Sequence, residues 1–275
     1  MLRERAYAKV NLVLHVGPPA ANGLHEVCSL IASIDLADEI EAITLQSGED
    51  RVVCPSVTGE NLAVRALAAF REASPTEVPP VELRIRKRIP VAAGLGGGSA
   101  DAAAALRAVN QLAGRPLKTR ELLEVAAGLG SDVPSQVVPR HTLVTGTGEQ
   151  VEPIGLPPLV LVLVPQAEGL ATRDVFAELD RLGNVRAALD PEPLRRLAAS
   201  PAAALAAGME NDLEPAALSL RPKLRGVIDE LLAAGAMEAQ VCGSGPTCSG
   251  LFGELGDAQR ACSRLEGSLV AGLRG

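Results

Sequence analysis

Aromatic side chains are scarce in this sequence of 275 residues, which has no tryptophan, one tyrosine and three phenylalanines. Hydrophobic residues nevertheless make up 47% of the chain and charged residues 21%, which is typical of a soluble globular protein. The core must therefore consist mainly of alanine, leucine and valine. The length suits one large domain or two packed domains.

Paired cysteines are also lacking. The five cysteines are odd in number and contain no Cys-x-x-Cys pair, which argues against a disulfide framework and against a zinc site. The first residues are charged, and polar residues interrupt the segment that follows, so we expect no secretory signal. Both observations predict a cytoplasmic protein with reduced thiols.

Excess positive charge and long apolar runs are absent as well. The formal net charge of −7 argues against a nucleic-acid partner. The strongest apolar run, Leu159 to Val164, is too short to cross a bilayer and lies between prolines, so it predicts a buried strand and no membrane association. The oligomeric state stays open.

The most distinctive stretch is rich in glycine and lies between a predicted strand, Val81 to Arg86, and a helix predicted to begin at about Ser99. Without a Cβ, glycine lets several backbone N–H groups approach an anion, and the helix start adds unpaired N–H groups and a positive dipole end. The stretch therefore predicts a phosphate-binding loop, with a ligand-free turn as the alternative. Its residues are Pro90, Val91, Ala92, Ala93, Gly94, Leu95, Gly96, Gly97, Gly98, Ser99 and Ala100.

This loop differs from two common nucleotide motifs. A P-loop requires a lysine after the last glycine, and none follows here. A dinucleotide fingerprint requires Gly-x-Gly-x-x-Gly or Ala, and Ser99 takes the third place. The sequence thus predicts phosphate binding by another type of loop.

Two basic features lie in strands. Residues 6–16 alternate, which places Lys9 and Asn11 side by side on one face of a predicted strand. A solvated lysine is the commoner outcome at such a position. A second basic run, at Arg84, Arg86, Lys87 and Arg88, is also more often a solvated face, although it could attract a polyphosphate.

Helix starts are predicted at Asn61, Thr119 and Thr172, each as a capping residue, with Phe176 on the helix after Thr172. Asp132 precedes Pro134, which suits a first helical turn, so a capping carboxylate is its commoner role.

The combination of a phosphate loop, a lysine and an aspartate suggests phosphoryl transfer from a nucleotide. Backbone N–H groups of the loop would hold the donor phosphates, and Mg²⁺ would bridge them with the Ser99 hydroxyl as a candidate partner. Asp132 would take the proton of the acceptor hydroxyl. Lys9 would stabilise transition-state charge and keep that carboxylate ionised.

Four separated segments, which span nearly the whole chain, together resemble the GHMP kinases, the superfamily that includes galactokinase, homoserine kinase and mevalonate kinases. The segment Ala-Lys-x-Asn-Leu and the segment Asn-Asp-Leu-Glu narrow the resemblance to members that act on a cytidine diphosphate sugar alcohol. The segments are Ala8 to Leu12, Pro90 to Ala100, Gly130 to Pro134, and Asn211 to Glu214 with Gly243 to Thr247.

The resemblance implies an α+β fold of two domains, an N-terminal ATP-loop domain over 1–153 and a smaller C-terminal α/β-sandwich domain over 154–275, with the active site in the cleft between them. It implies a kinase of non-mevalonate isoprenoid biosynthesis that transfers phosphate from ATP to the 2-hydroxyl of the sugar alcohol. Lys9 and Asp132 would form the catalytic pair, and Pro90 to Ala100 the ATP loop. The substrate-binding residues would be Asn11, His25 and Phe176.

The chain departs from the family pattern at two positions. Leu24 stands where the family has the tyrosine of Gly-Tyr-His, so one of the two rings that hold cytosine is replaced by an aliphatic side chain. Cys242 stands where a serine precedes Gly-Ser-Gly. Other readings remain: a GHMP kinase of the homoserine or mevalonate type, an inactive nucleotide-binding sensor of the same fold, or a dinucleotide-dependent oxidoreductase. His25 by itself is more often a hydrogen-bonded structural residue.

Overall fold

The computed structural model describes residues 1–57 and 59–274. In this part of the chain helices and strands alternate irregularly, as the sequence predicts for an α+β protein. The elements are β1 (Leu2–Pro19), β2 (His25–Thr44), β3 (Arg51–Val53), α1 (Leu62–Ala73), β4 (Val81–Arg86), α2 (Gly97–Leu112), α3 (Thr119–Ala127), α4 (Val133–Val137), β5 (Thr142–Thr145), β6 (Gln150–Pro153), β7 (Val160–Val164), α5 (Thr172–Leu182), α6 (Glu192–Ala198), α7 (Ala202–Ala207), β8 (Glu210–Asn211), α8 (Glu214–Leu220), α9 (Leu224–Ala233), β9 (Glu238–Val241), β10 (Cys248–Phe252), α10 (Leu255–Cys262) and β11 (Leu269–Gly272).

The chain divides into two compact units that interleave along the sequence. The first unit comprises Met1–Ala8, Leu36–Val91 and Gly96–Pro139, and the second comprises Lys9–Asp35, Ala92–Leu95 and Arg140–Gly275. The long strands β1 and β2 each contribute residues to both units. The predicted domain boundary between residues 153 and 154 stays a prediction.

In the first unit, the second half of β2 pairs antiparallel with β4, and β3 pairs parallel with β4. Helices α1, α3 and α4 contact α2, whose residues from Ala100 to Val109 are buried apart from Arg107. Alanine at most of these positions allows helices to approach closely without leaving voids. Helix α1 begins as predicted, because the Asn61 side chain accepts a hydrogen bond of 2.9 Å from the backbone N–H of Ala63.

In the second unit, a four-stranded antiparallel sheet has the order β11-β7-β10-β9. Helices α5, α8, α9 and α10 supply residues to a hydrophobic core on this sheet. The first half of β2 pairs with β5, which pairs with β6, and β1 pairs parallel with the two-residue strand β8. The predicted apolar strand is therefore confirmed as β7, and its last four residues are buried.

Two predicted helix caps are wrong. Lys118 and Ala171 occupy the N-cap positions of α3 and α5, so Thr119 and Thr172 are each the first helical residue. Most buried hydrophobic residues are alanine, leucine or valine, as the shortage of aromatics predicts. Among the described residues, no helix combines the length and apolarity needed to cross a membrane.

Candidate active site

Helix α2 begins at the end of the glycine-rich stretch and presents its backbone N–H groups there. Gly96 is the N-cap residue with a φ of 70°, and within the described chain no side chain caps this helix. The helix begins two residues before the predicted start, because Gly97 and Gly98 already form its first turn. A Cβ built on Gly98 would meet nothing within 4 Å, so the space beside this residue is open. An uncapped first turn beside open space is a fitting place for a phosphate group.

The preceding loop segment, Ala92–Leu95, belongs to the second unit and packs there against a second glycine loop, residues 242–247. The backbone N–H of Thr247 donates to the carbonyl oxygen of Ala93 at 3.3 Å. Gly94 has a φ of 79°, and a Cβ there would collide with the carbonyl oxygen of Cys242 and lie 2.8 Å from that of Gly245. Glycine is therefore required at this position both for its conformation and for the close approach of two backbones.

Lys9 and Asn11 form a buried hydrogen-bonded pair in β1. Their exposed fractions are 5% and 3%, so the reading of Lys9 as a solvated strand lysine is wrong. The Lys9 ammonium donates to Oδ1 of Asn11 at 2.8 Å, and Nδ2 of Asn11 donates to the Ser29 hydroxyl at 2.8 Å. The backbone N–H of Lys9 also donates to the carbonyl oxygen of Leu95 at 3.1 Å. The lysine therefore lies directly beside the loop segment Ala92–Leu95.

The residues Asn211 to Glu214, one of the segments that carry the resemblance, hold the second glycine loop in place. The buried Asn211 side chain donates two hydrogen bonds of 2.8 Å from Nδ2, to the carbonyl oxygens of Val241 and Gly243. Glu214 accepts a hydrogen bond of 2.9 Å from the backbone N–H of Val241.

This attachment matters for the lysine, because a Cβ on Gly243 would lie 3.1 Å from Oδ1 of Asn11 and 3.7 Å from Nζ of Lys9. Sequence reasoning singled out the motif through resemblance but did not find this role. The role depends on a contact across about thirty residues.

Cys242, which stands where the resemblance implies a serine, lies at the start of the second glycine loop and is fully buried. Burial raises the pKa of its thiol to about 11, so the side chain is neutral at physiological pH. It is therefore a packing residue here rather than a reactive thiol.

Asp132 precedes α4 in the first unit, at its N-cap position. Its side chain accepts no capping hydrogen bond from the described backbone of α4, so the predicted capping role is wrong. Its carbonyl oxygen instead accepts a hydrogen bond of 2.9 Å from the Ser135 hydroxyl. The backbone carbonyl of Asp132 therefore takes part in holding this turn, whereas its carboxylate does not cap the helix.

His25 and Phe176, the two substrate residues implied by resemblance, come together in the second unit. Their ring centroids are 5.3 Å apart and the rings are tilted by 35°. Nε2 of His25 also makes a hydrogen bond of 2.9 Å with Asp180. Phe176 and Asp180 are four residues apart on α5 and share one helix face, so a single helix positions the histidine ring. The neighbouring Leu24 is half exposed.

The basic run that begins in β4 and ends just after it separates into two kinds of residue. The arginines are exposed and pair with surface carboxylates: Arg84 with Glu82, and both Arg86 and Arg88 with Glu39. These pairs fit the expectation of a solvated face. Lys87 does not, because it is buried between two aspartates.

The described residues contain no group of three or more His, Cys, Asp or Glu side chains suited to hold a metal ion. Magnesium in kinases is commonly bound by one or two protein groups together with the phosphates of the nucleotide. The Ser99 hydroxyl on the first turn of α2 fits such a minimal protein contribution.

Comparison with known proteins identifies the family. The GHMP kinases N terminal domain matches residues 61–139, and the GHMP kinases C terminal domain matches residues 184–271. A 4-diphosphocytidyl-2-C-methyl-D-erythritol kinase of Corynebacterium efficiens is 45% identical over 285 residues, which cover 96% of this chain and 89% of that protein. The chain belongs to the GHMP kinases.

Solved structures place this GHMP kinase among proteins of the same fold. The crystal structure of a 4-(cytidine 5'-diphospho)-2C-methyl-D-erythritol kinase has a TM-score of 0.83 and 33% identity, with both chains covered completely. A homoserine kinase from Cytophaga hutchinsonii has a TM-score of 0.70 and 18% identity over 99% of this chain and 94% of the other, a likeness of fold alone. The predicted fold class is thereby confirmed.

Proposed function

We propose that this GHMP kinase transfers the terminal phosphate of ATP to the 2-hydroxyl of 4-diphosphocytidyl-2-C-methyl-D-erythritol, in isoprenoid precursor biosynthesis. The observation that carries the proposal is the similarity to kinases of that name over essentially the whole chain. The enzyme would act in the cytoplasm on this small molecule, without a nucleic-acid partner.

The glycine-rich stretch from Pro90 to Ala100 is the proposed ATP site. The N–H groups of Gly97, Gly98 and Ser99 belong to the uncapped first turn of α2, and they would donate to the phosphate oxygens. The open space beside Gly98 gives those oxygens room. Mg²⁺, when bound, would neutralise phosphate charge and favour departure of the ADP product.

Lys9 and Asp132 are the proposed catalytic residues. The Lys9 ammonium, oriented by Asn11, would stabilise negative charge that develops during transfer. The Asp132 carboxylate would accept the proton of the acceptor hydroxyl or orient that hydroxyl for attack. Neither role needs a covalent enzyme intermediate.

The acceptor would be recognised through its cytosine. Phe176 and the adjacent His25 offer a ring surface against which a base can stack. Asn11 would contact the acceptor near the reacting hydroxyl. Leu24 would contribute an aliphatic surface where the resemblance implies an aromatic ring, so stacking would be one-sided.

The experiment is a panel of acceptors assayed with purified protein, ATP and Mg²⁺. Release of ADP with 4-diphosphocytidyl-2-C-methyl-D-erythritol, and much slower release with homoserine or mevalonate, is the expected result. Turnover of homoserine or mevalonate instead would reassign the protein within the superfamily. Nucleotide binding without turnover of any acceptor would identify an inactive sensor.

A further inference from the structure

A buried cluster of three ionisable side chains lies in the first unit: Lys87 between Asp38 and Asp101. The Lys87 ammonium donates to Oδ2 of Asp38 at 2.5 Å and to Oδ2 of Asp101 at 2.7 Å. The exposed fractions of these side chains are 7% for the lysine, 0% for Asp38 and 3% for Asp101. Three ionisable groups are therefore withdrawn from water at one place.

The cluster joins the two chain segments that flank the glycine-rich loop. Before the loop, Oδ1 of Asp38 accepts hydrogen bonds from the backbone N–H groups of Arg88 and Ile89. After the loop, Asp101 lies in α2, four residues beyond Gly97. Lys87 thus links the end of the β4 segment to the start of α2.

The first turn of α2 also packs directly on this cluster. A Cβ on Gly97 would lie 3.0 Å from Cγ2 of Ile89 and 3.3 Å from Nζ of Lys87. A shift of the lysine would therefore change the packing of this turn and the positions of its N–H groups. Gly98, on the open side, has no such neighbour.

Stability alone is a weak reason for such an arrangement. Buried ion pairs often contribute little net stability, because desolvation offsets their attraction, whereas they can fix one geometry. Burial would lower the pKa of Lys87, but the carboxylates of Asp101 and Asp38 outweigh it and raise that pKa, so the ammonium stays charged. Oδ1 of Asp101 is buried and has no hydrogen-bond partner among the described residues.

We propose that Lys87 and Asp101 are positioning residues for nucleotide binding. They hold the first turn of α2 against the segment 87–89, so that the N–H groups of Gly97 and Gly98 converge on one phosphate group. The inference rests on the proposed ATP site. It assigns a role to a lysine that sequence reasoning grouped with solvated arginines.

The test measures the affinity for a non-hydrolysable ATP analogue by calorimetry, together with the melting temperature, without any acceptor. Asp101→Ala removes one of the two carboxyl groups that bind Lys87 and is expected to weaken nucleotide binding about tenfold or more. Asp101→Asn keeps an oxygen that can accept from Lys87 and is expected to restore binding to within about threefold of wild type.

Two control variants separate positioning from general damage. Leu106→Ala, a buried change on α2 outside the first turn, is expected to lower the melting temperature without changing nucleotide affinity. Arg84→Met removes an exposed cation from β4 and is expected to change neither. Equal nucleotide affinity in Asp101→Ala and wild type would overturn the inference while leaving the proposed function intact.

Binding that is lost equally in Asp101→Ala and Leu106→Ala would also overturn it, because instability would then explain the effect. A wild-type protein that binds no ATP analogue would overturn the proposed function and this inference together. ADP release with the acceptor, measured separately for the wild-type protein, shows whether the proposed function itself has failed.

Discussion

The Lys9 ammonium donates a hydrogen bond of 2.8 Å to Oδ1 of Asn11, and both side chains are buried in β1. The amide of Asn11 is itself oriented, because its nitrogen donates to the Ser29 hydroxyl at 2.8 Å. Removal of this acceptor would take away a contact that fixes the direction of the Lys9 ammonium. Asn11 therefore has a role in orienting Lys9, in addition to the substrate contact that the resemblance implies.

Asn11→Ala is expected to lower kcat about 100-fold, because catalysis is sensitive to misplacement of a charged group by about 1 Å. Steady-state kinetics with both substrates measure this, and Ser29→Ala should give a smaller loss in kcat. A large rise in KM for the acceptor with unchanged kcat would contradict the orienting role and would favour substrate contact alone.

Asp132→Asn is expected to lower kcat by about 10²–10⁴-fold, because the amide cannot accept a proton. Affinity for the ATP analogue should stay the same. Asp257→Asn, which changes an exposed carboxylate on α10, is the matched control and should leave kcat unchanged. Full activity of Asp132→Asn, with or without a lower melting temperature, would exclude the proposed role.

Gly98→Ala is expected to stabilise the protein and to weaken nucleotide binding. The residue is helical and its Cβ would meet nothing within 4 Å, so alanine should raise the free energy of unfolding by up to about 1 kcal/mol. The methyl group occupies the open space beside the N–H groups, so KM for ATP should rise about tenfold. An unchanged KM for ATP would show that phosphate lies elsewhere.

Gly94→Ala is the matched comparison on the same loop. It should destabilise the protein by more than about 1–2 kcal/mol, because a positive φ disfavours alanine and its Cβ meets backbone oxygens. Thermal unfolding of the two variants side by side makes the contrast visible. Equal melting temperatures would be inconsistent with the close approach of the two loops.

Leu24→Tyr is expected to lower KM for the acceptor, because a second ring could stack on cytosine, and Phe176→Leu is expected to raise it. Stacking of a base on an aromatic side chain is worth about 1–3 kcal/mol, so the loss of Phe176 should cost about 5- to 150-fold in KM. KM for ATP should not change. Leu182→Ala, at a partly exposed leucine on the same helix as Phe176, is the control.

The stability of the protein should depend on pH through Asp101. Burial raises the pKa of its carboxyl to about 7, against the opposing effect of Lys87 and with Asp38 adding to the rise. The folded state thus binds a proton that the unfolded state releases near pH 4. The contribution of Asp101 to the free energy of unfolding is therefore highest below pH 4 and declines as the pH rises towards 7.

Asp101→Asn should remove that part of the pH dependence. The measurement is denaturant unfolding of both proteins between pH 4 and 8, because other carboxylates contribute equally to both curves. Among the described residues, Lys87, Asp38 and Cys54 are the ionisable groups that interact electrostatically with Asp101. Parallel curves for wild type and variant would show that Asp101 is ionised throughout this range.

Local sequence signals determined much of this protein. Glycines between a strand and a helix predicted the phosphate loop, and alternation placed Lys9 beside Asn11. A cap at Asn61 located α1, and four ordered segments identified the family. These signals are short in range, because backbone conformation and side-chain periodicity depend on neighbouring residues.

Tertiary structure decided what those side chains do. Lys87 lies in the same basic run as three exposed arginines. Unlike them it is buried, through contacts with Asp38, 49 positions before it, and Asp101, 14 positions after it. Asn211 gained its role through carbonyl groups thirty residues away, and Asp132 lost its expected capping role. Burial and partner choice arise from contacts between distant segments, which no local pattern encodes.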